Sequence, residues 1–222
     1  MGHTIQNFDA HAKTDLRRDA LAIAEAGYAA VDVGAALART LRSEGETLCV
    51  GDSTYPLAPL ETPVENLSGL PESLSLTGRA GRRVYFVGVG KCALAAAVAV
   101  EELLGDRLTG GIALDVSPLE EGVLTKIEAL IGTHPLPSET NEAATKRILE
   151  FLSGRTESDL VLMLISGGGS TLLCAHGASM TCADEVVLWN ELTAKGATIQ
   201  DINTVRKHTS RARGGGLAFA AY

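Results

Sequence analysis

The stretch VYFVGVGKCALAAAVAVEELL, residues 84–104, changes its period in mid-course. Val84 to Val87 is a short continuous apolar run, the pattern of a strand covered on both faces. Lys91 to Leu104 is alanine-rich with helical spacing. The join between them, Gly88-Val89-Gly90-Lys91, is a glycine turn at the position where open parallel sheets meet their ligands. A strand, a tight turn and a helix in that order, followed by a second apolar run at Gly111 to Val116, predict a right-handed βαβ crossover. The fold class is α/β, a parallel Rossmann-like three-layer sheet with an N-terminal helical segment.

Working outward, Thr125 to Ile131 alternates apolar with polar positions and predicts a strand nearer a sheet edge. Ser138 is a good N-cap for a helix running to about Leu152, with Ala144, Ile148 and Leu152 on its inner face. Leu160 to Ile165 is apolar at every position, which predicts a central strand. Residues 171–213 read mostly as helix, broken near Gly177 and Gly196. Upstream, Leu21, Ala24, Tyr28, Val31, Ala35 and Ala38 mark one face of a helical segment over 15–44, in which Asp32 is placed to cap a second helix. Residues 51–81 carry Pro56, Pro59, Pro63 and Pro71 with no sustained period and predict a long loop. The chain of 222 residues reads as a single domain over 1–222.

A net charge of −8 repels nucleic-acid phosphates and anionic membrane surfaces, so neither is an expected partner. The most apolar stretches, such as Ala93 to Val100, are far shorter than a membrane span, and the polar N-terminus does not resemble a signal peptide. A cytoplasmic protein is expected. Four widely spaced cysteines, with no Cys/His cluster at zinc-ligand spacing, read as reduced intracellular thiols.

Two glycine turns carry the chemistry. In the first, Gly88 and Gly90 let the backbone approach a ligand, and the free N–H groups of the helix start point at a phosphate or carboxylate. Lys91 opposes the helix dipole unless an anion is bound; the alternative is a tight turn with its lysine in solvent. The same residues satisfy the dinucleotide fingerprint G-x-G-x-x-A, with Asp115 at a plausible distance for a ribose hydroxyl, so an NAD(P)-dependent oxidoreductase is a competing reading. The second turn, Ser166-Gly167-Gly168-Gly169-Ser170, is a candidate nest of N–H donors for phosphate, against the alternative of a bare loop. A third cluster, Asn203 to Gly216, concentrates five basic groups and His208. Arg206 and Arg213 share one helix face there, to meet an anion or to complement a helix C-terminus. His134, before Pro135, lies at the ligand edge of the sheet and reads first as a structural turn residue.

VGVGK at 87–91, GTHPLPSETNEAATKRILEFL at 132–152, DLVLMLISGGGSTLL at 159–173 and GATIQDINTVRKHTSRARGGGLA at 196–218 together resemble the class II glycerate kinase family, specifically its N-terminal, MOFRL-associated domain. The resemblance implies ATP-dependent phosphorylation of D-glycerate to 2-phosphoglycerate, with ATP and Mg2+ as cofactors and magnesium ligands unassigned. It implies catalytic roles for Lys91 and Arg206. It implies substrate or phosphate binding by Gly88, Gly90, Ser166, Gly167, Gly168, Gly169, Ser170, Asn203 and Lys207, with His134 and His208 as further candidates. Phosphoryl transfer needs positioning and charge neutralisation, which suits these residue types. The family's second, MOFRL half does not follow Tyr222, so its groups are expected from a separate MOFRL-domain chain or a second copy. A non-catalytic anion-binding or assembly module is the alternative from a different class.

Overall fold

A computed structural model describes residues 3, 5–57, 82–177 and 180–221. Four parallel strands form its central sheet: β4 (Arg83–Val89), β5 (Leu108–Asp115), β6 (Ile127–Ile131) and β7 (Asp159–Ile165), in the order β6-β5-β4-β7. The α/β reading and its three layers hold. Helix α4 (Ala93–Leu104) covers one face through Ala93, Leu94, Ala97 and Val100. Helices α5 (Glu139–Leu152) and α9 (Gly216–Ala220) cover the other through Ala144, Ile148, Leu152 and Leu217. Ser138 precedes α5 in extended conformation, as an N-cap must.

The chain lays down β4, β5 and β6 in one direction and then returns through α5 to place β7 on the other side of β4. That reversal is a topological switch point, and the crevice beyond the C-terminal ends of β4 and β7 is where such sheets bind ligands. In-register pairing of Val89 with Ile165 brings the two glycine turns side by side. β6 is an edge strand as its alternation predicts. β7 is not central: it occupies the other edge, with Met163 36% and Ile165 56% exposed. Apolarity at every position of a strand encodes a demand for cover, not the strand's place in the order.

The N-terminal region departs further from expectation. The helical segment ends at Thr40, as α2 (Asp15–Ala30) and α3 (Val33–Thr40) separated at Asp32, whose carboxylate accepts from Ala35 N at 2.7 Å. Residues 41–44, expected to be helical, instead form β1 (Leu41–Glu44). It runs into an antiparallel sheet with β2 (Thr47–Val50) and β3 (Ser53–Pro56). Gly45 and Gly51, with φ of 59° and 58°, open the two-residue turns Gly45-Glu46 and Gly51-Asp52, and L side chains rarely adopt that region. So 53–56 is strand where a loop was expected, and 58–81 lies outside the described residues. The α2–α3 stretch, Asp15–Thr40, is long and apolar enough to cross a membrane by length and composition, and none of its most apolar window is buried. The sequence reading, which found only shorter apolar stretches, is corrected on that point.

Candidate functional site

The two turns are built against each other. Gly90, at φ 130°, lies so close to the second turn that a Cβ there would overlap the Ser166 hydroxyl and sit 2.8 Å from the Ser166 carbonyl carbon and oxygen. Lys91 N donates to Gly167 O at 2.9 Å, and Cys92 N to Ser166 Oγ at 3.4 Å. Ala93 N bonds Gly90 O, and Leu94 N bonds the buried Asp115 carboxylate at 3.0 Å. The N–H groups expected to point at a ligand from the start of α4 are thus turned to protein acceptors. The anion that complements this helix N-terminus is Asp115, which also accepts from Val116 N at 2.6 Å. That assignment takes Asp115 from the ribose-binding role of a dinucleotide site.

Donors remain in the second turn. Among the described residues, the N–H groups of Gly167 and Gly168 donate to no protein acceptor. Gly168, at φ 87°, packs where a Cβ would meet Lys91 Cε at 3.2 Å and His134 Cδ2 at 3.3 Å, so Lys91 and His134 flank it on one side. Lys91 is exposed, and the lysine ion pairs among the described residues belong to Lys126, Lys146 and Lys195. The turn carrying His134 is held by buried Asn141 of α5, which accepts from Thr133 N at 2.8 Å and donates to Thr133 O and Thr171 O.

The other side of the glycine loop opens on a cavity of about 340 Å³. Asn203, Arg206 and Lys207 of helix α8 (Ile199–Thr209) line it together with Gly169, Ser170 and Arg213, over a floor that includes Met163, Ile165 and Leu173. Its lining has three cationic side chains and no carboxylate. Lys91, His134 and His208 are outside this lining; His208 is exposed and its ring bonds Thr204 O within α8.

Arg206 is committed inward. Its Nε donates to Glu185 Oε1 at 2.8 Å and an Nη to Ser170 O at 2.8 Å, and the guanidinium lies 5.1 Å from the Trp189 ring. Arg213 binds the same pair of acceptors, Glu185 and Ser170 O, and also bonds Leu173 O. Burial is the largest influence on the Arg213 guanidinium and holds its pKa below the ordinary arginine value, against the opposing pull of Glu185. Its Nη1 is buried without a hydrogen-bond partner among the described residues. Glu185, on α7 (Cys182–Ala194), is 3% exposed and ties both arginines to the backbone leaving the glycine loop. Sequence reasoning missed Glu185 and Asn141, and it put Arg213 on one helix with Arg206, whereas α8 ends at Thr209 and Arg213 lies beyond it. The signal for Asn141 was a polar residue on the apolar 141-144-145-148 face of α5. Glu185, within an unremarkable acidic helix start, carried no such signal.

His176, for which the sequence offered no partner, bonds Glu185 Oε2 at 2.8 Å and Thr209 O at 2.9 Å. Cys174 and Cys182 are joined in a disulfide, while Cys49 and Cys92 are free. The expectation of four reduced thiols is corrected for that pair: the chain doubles back after α6 (Gly169–Leu172), bringing residues eight apart to a Cα–Cα distance of 6.1 Å.

A parallel sheet with two packed glycine turns at its switch point, beside a cationic cavity, defines an α/β protein with a candidate anion site, and residues 19–222 match the family described as "Domain of unknown function (DUF4147)". The chain belongs to that family, the N-terminal domain of class II glycerate kinases. It is similar to rat (Rattus norvegicus) glycerate kinase, 35% identical over 93% of this chain and 38% of that protein. It is also similar to an Agrobacterium vitis protein named provisionally as a hydroxypyruvate reductase, 38% identical over 74% of this chain and 36% of that one. The crystal structure of Thermotoga maritima glycerate kinase superposes with a TM-score of 0.60 at 36% identity, covering 64% of this chain and 34% of that one. The chain spans 29% to 38% of the length of the curated relatives it matches.

Proposed function

We propose that this chain supplies the acid- and phosphate-binding half of a glycerate 2-kinase site, at which ATP phosphorylates the 2-hydroxyl of D-glycerate. The observation that carries the reading is the cavity beside the glycine loop, lined by Arg206, Lys207 and Arg213 with no carboxylate. A carboxylate or phosphoryl oxygen in the cavity meets that positive lining with charge-assisted bonds. Lys207 and the Asn203 amide, in the same lining, orient the remaining oxygens. Arg206 acts as a positioning residue, fixing Ser170 through Glu185. Lys91, with the uncommitted amides of Gly167 and Gly168, neutralises transferring phosphoryl charge on the other side of the loop. The cavity lining offers Mg2+ no carboxylate ligand.

Groups for nucleotide binding beyond these are assigned to the family's second, MOFRL half. The Agrobacterium relative's name favours an oxidoreductase as the second reading, but the commitment of Asp115 to Leu94 and Val116 argues against a dinucleotide ribose site.

Isothermal titration with D-glycerate, Mg-ATP and NADH, with a coupled kinase assay on the same samples, tests the proposal. Lys207→Ala removes an exposed cation without an ion pair, so the fold should hold while D-glycerate affinity falls about 10-fold or more, the worth of one charge-assisted bond. NADH binding without glycerate or ATP binding would overturn it.

A further inference from the structure

We propose that Cys174, His176, Cys182 and Glu185 form a site for one zinc-class divalent cation when the Cys174–Cys182 disulfide is reduced. The ligand atoms of Cys174, His176 and Cys182 all lie within 4.8 Å of one another. Cys174 Sγ is 3.6 Å from His176 Nε2 and 3.5 Å from Glu185 Oε2. Tetrahedral zinc with bonds of about 2.3 Å to sulfur and about 2.0–2.1 Å to nitrogen or oxygen sets ligand–ligand edges of roughly 3.3–3.7 Å, so these two edges already have the required length. Cys182 and Glu185, three apart at the start of α7, present their groups on one helix face.

The orientation of the histidine ring points the same way. His176 Nδ1 donates to the Thr209 carbonyl, which leaves Nε2 as the ring nitrogen that faces Glu185 Oε2 and Cys174 Sγ. The 2.8 Å separation of His176 Nε2 from Glu185 Oε2 is shorter than the roughly 3.3 Å edge of a tetrahedral ion, so Glu185 shifts outward on binding, while a backbone carbonyl on the far ring nitrogen is the usual support of a metal-bound histidine. Arg206 and Arg213 both engage Oε1, with Arg213 also reaching Oε2. A divalent cation held by two thiolates adds no net charge to that network, so the dithiolate–metal form and the disulfide form are electrostatically equivalent to the buried arginines. Either form ties the end of the glycine loop to α7.

The conversion balances. A phosphine reductant and water break the S–S bond, giving two thiols and the phosphine oxide. The metal then displaces both thiol protons and forms two metal–sulfur bonds. The test uses the 222-residue chain, oxidised or phosphine-reduced and stripped of metal, titrated anaerobically with Co2+ and then Zn2+. The reduced chain should take up one equivalent with the visible bands of tetrahedral cobalt and a thiolate charge-transfer band, both bleached by Zn2+. The oxidised chain should take up none. Cys182→Ser, verified as folded by far-ultraviolet circular dichroism, should lower affinity at least about 100-fold, matching or exceeding the loss of a supporting ligand contact. The Cys49→Ser/Cys92→Ser variant should bind as the unaltered chain does. A reduced chain with both thiols free and no metal uptake would overturn the proposal. An unchanged cobalt affinity in Cys182→Ser would overturn it equally. The readout involves no phosphoryl transfer, so its failure is distinct from failure of the kinase reading.

Discussion

Replacing Glu185 by alanine removes the single carboxylate between two buried guanidinium groups, those of Arg206 and Arg213, both in contact at 2.8–3.0 Å. Breaking a buried ion pair from one side costs about 3–5 kcal/mol, because the charge left behind stays desolvated. For a chain of this size each kcal/mol moves the melting temperature by about 2–4 °C, so the expected loss is roughly 6–20 °C. Urea unfolding at fixed disulfide state, followed by fluorescence, measures it directly: the chain's one tryptophan, Trp189, lies on the same helix with Arg206 against its ring. The reasoning also requires non-additivity. Glu185→Ala combined with Arg213→Met should cost less than the sum of the single changes by at least about 1 kcal/mol, since the second change removes one of the stranded charges. A Glu185→Ala cost below about 1 kcal/mol, or an additive pair, would refute the view that this glutamate neutralises the arginines.

Asp159, nearly fully buried, is pushed up by burial, but the hydrogen bonds from Arg83 and Thr156 outweigh that and hold its pKa below the ordinary carboxylate range. A depressed folded pKa contributes stability above the unfolded value of about 3.9, lost as pH falls through the folded value. Urea midpoints compared between pH 7 and pH 3 should fall less in Asp159→Asn than in the unaltered chain, and an equal fall would refute this. Gly90→Ala drives a methyl group into the Ser166 backbone and should lose at least about 1–3 kcal/mol and the native near-ultraviolet circular dichroism; unchanged stability would show that the turns are not packed as described.

Much of the sheet was legible because buried parallel strands and the helices between them have separate periods. Val84 to Val87, Gly111 to Val116 and the Ser138 cap all fell where the elements form. The N-terminal hairpins were not seen, although Gly45-Glu46 and Gly51-Asp52 carried a turn signal, because four-residue strands are too short for period-2 alternation to stand out. The site was legible as three clusters but not as a geometry. Nothing in the spacing told that α4's amides would be satisfied by Asp115 and the second turn, nor that Arg206 would face inward to Glu185, since both depend on long-range packing. His176, Cys174 and Cys182 likewise read as unrelated until the loop closed.

The apolar outer edge of β7 has a consequence for handling the protein. From Leu160 to Ile165 it carries neither charge nor proline, and it lies at the border of the described sheet. Such an edge is a template for intermolecular strand pairing. As concentration rises, the chain should therefore tend to assemble edge to edge. A charged gatekeeper on this edge, placed away from Met163 because that residue floors the candidate cavity, would keep preparations monodisperse.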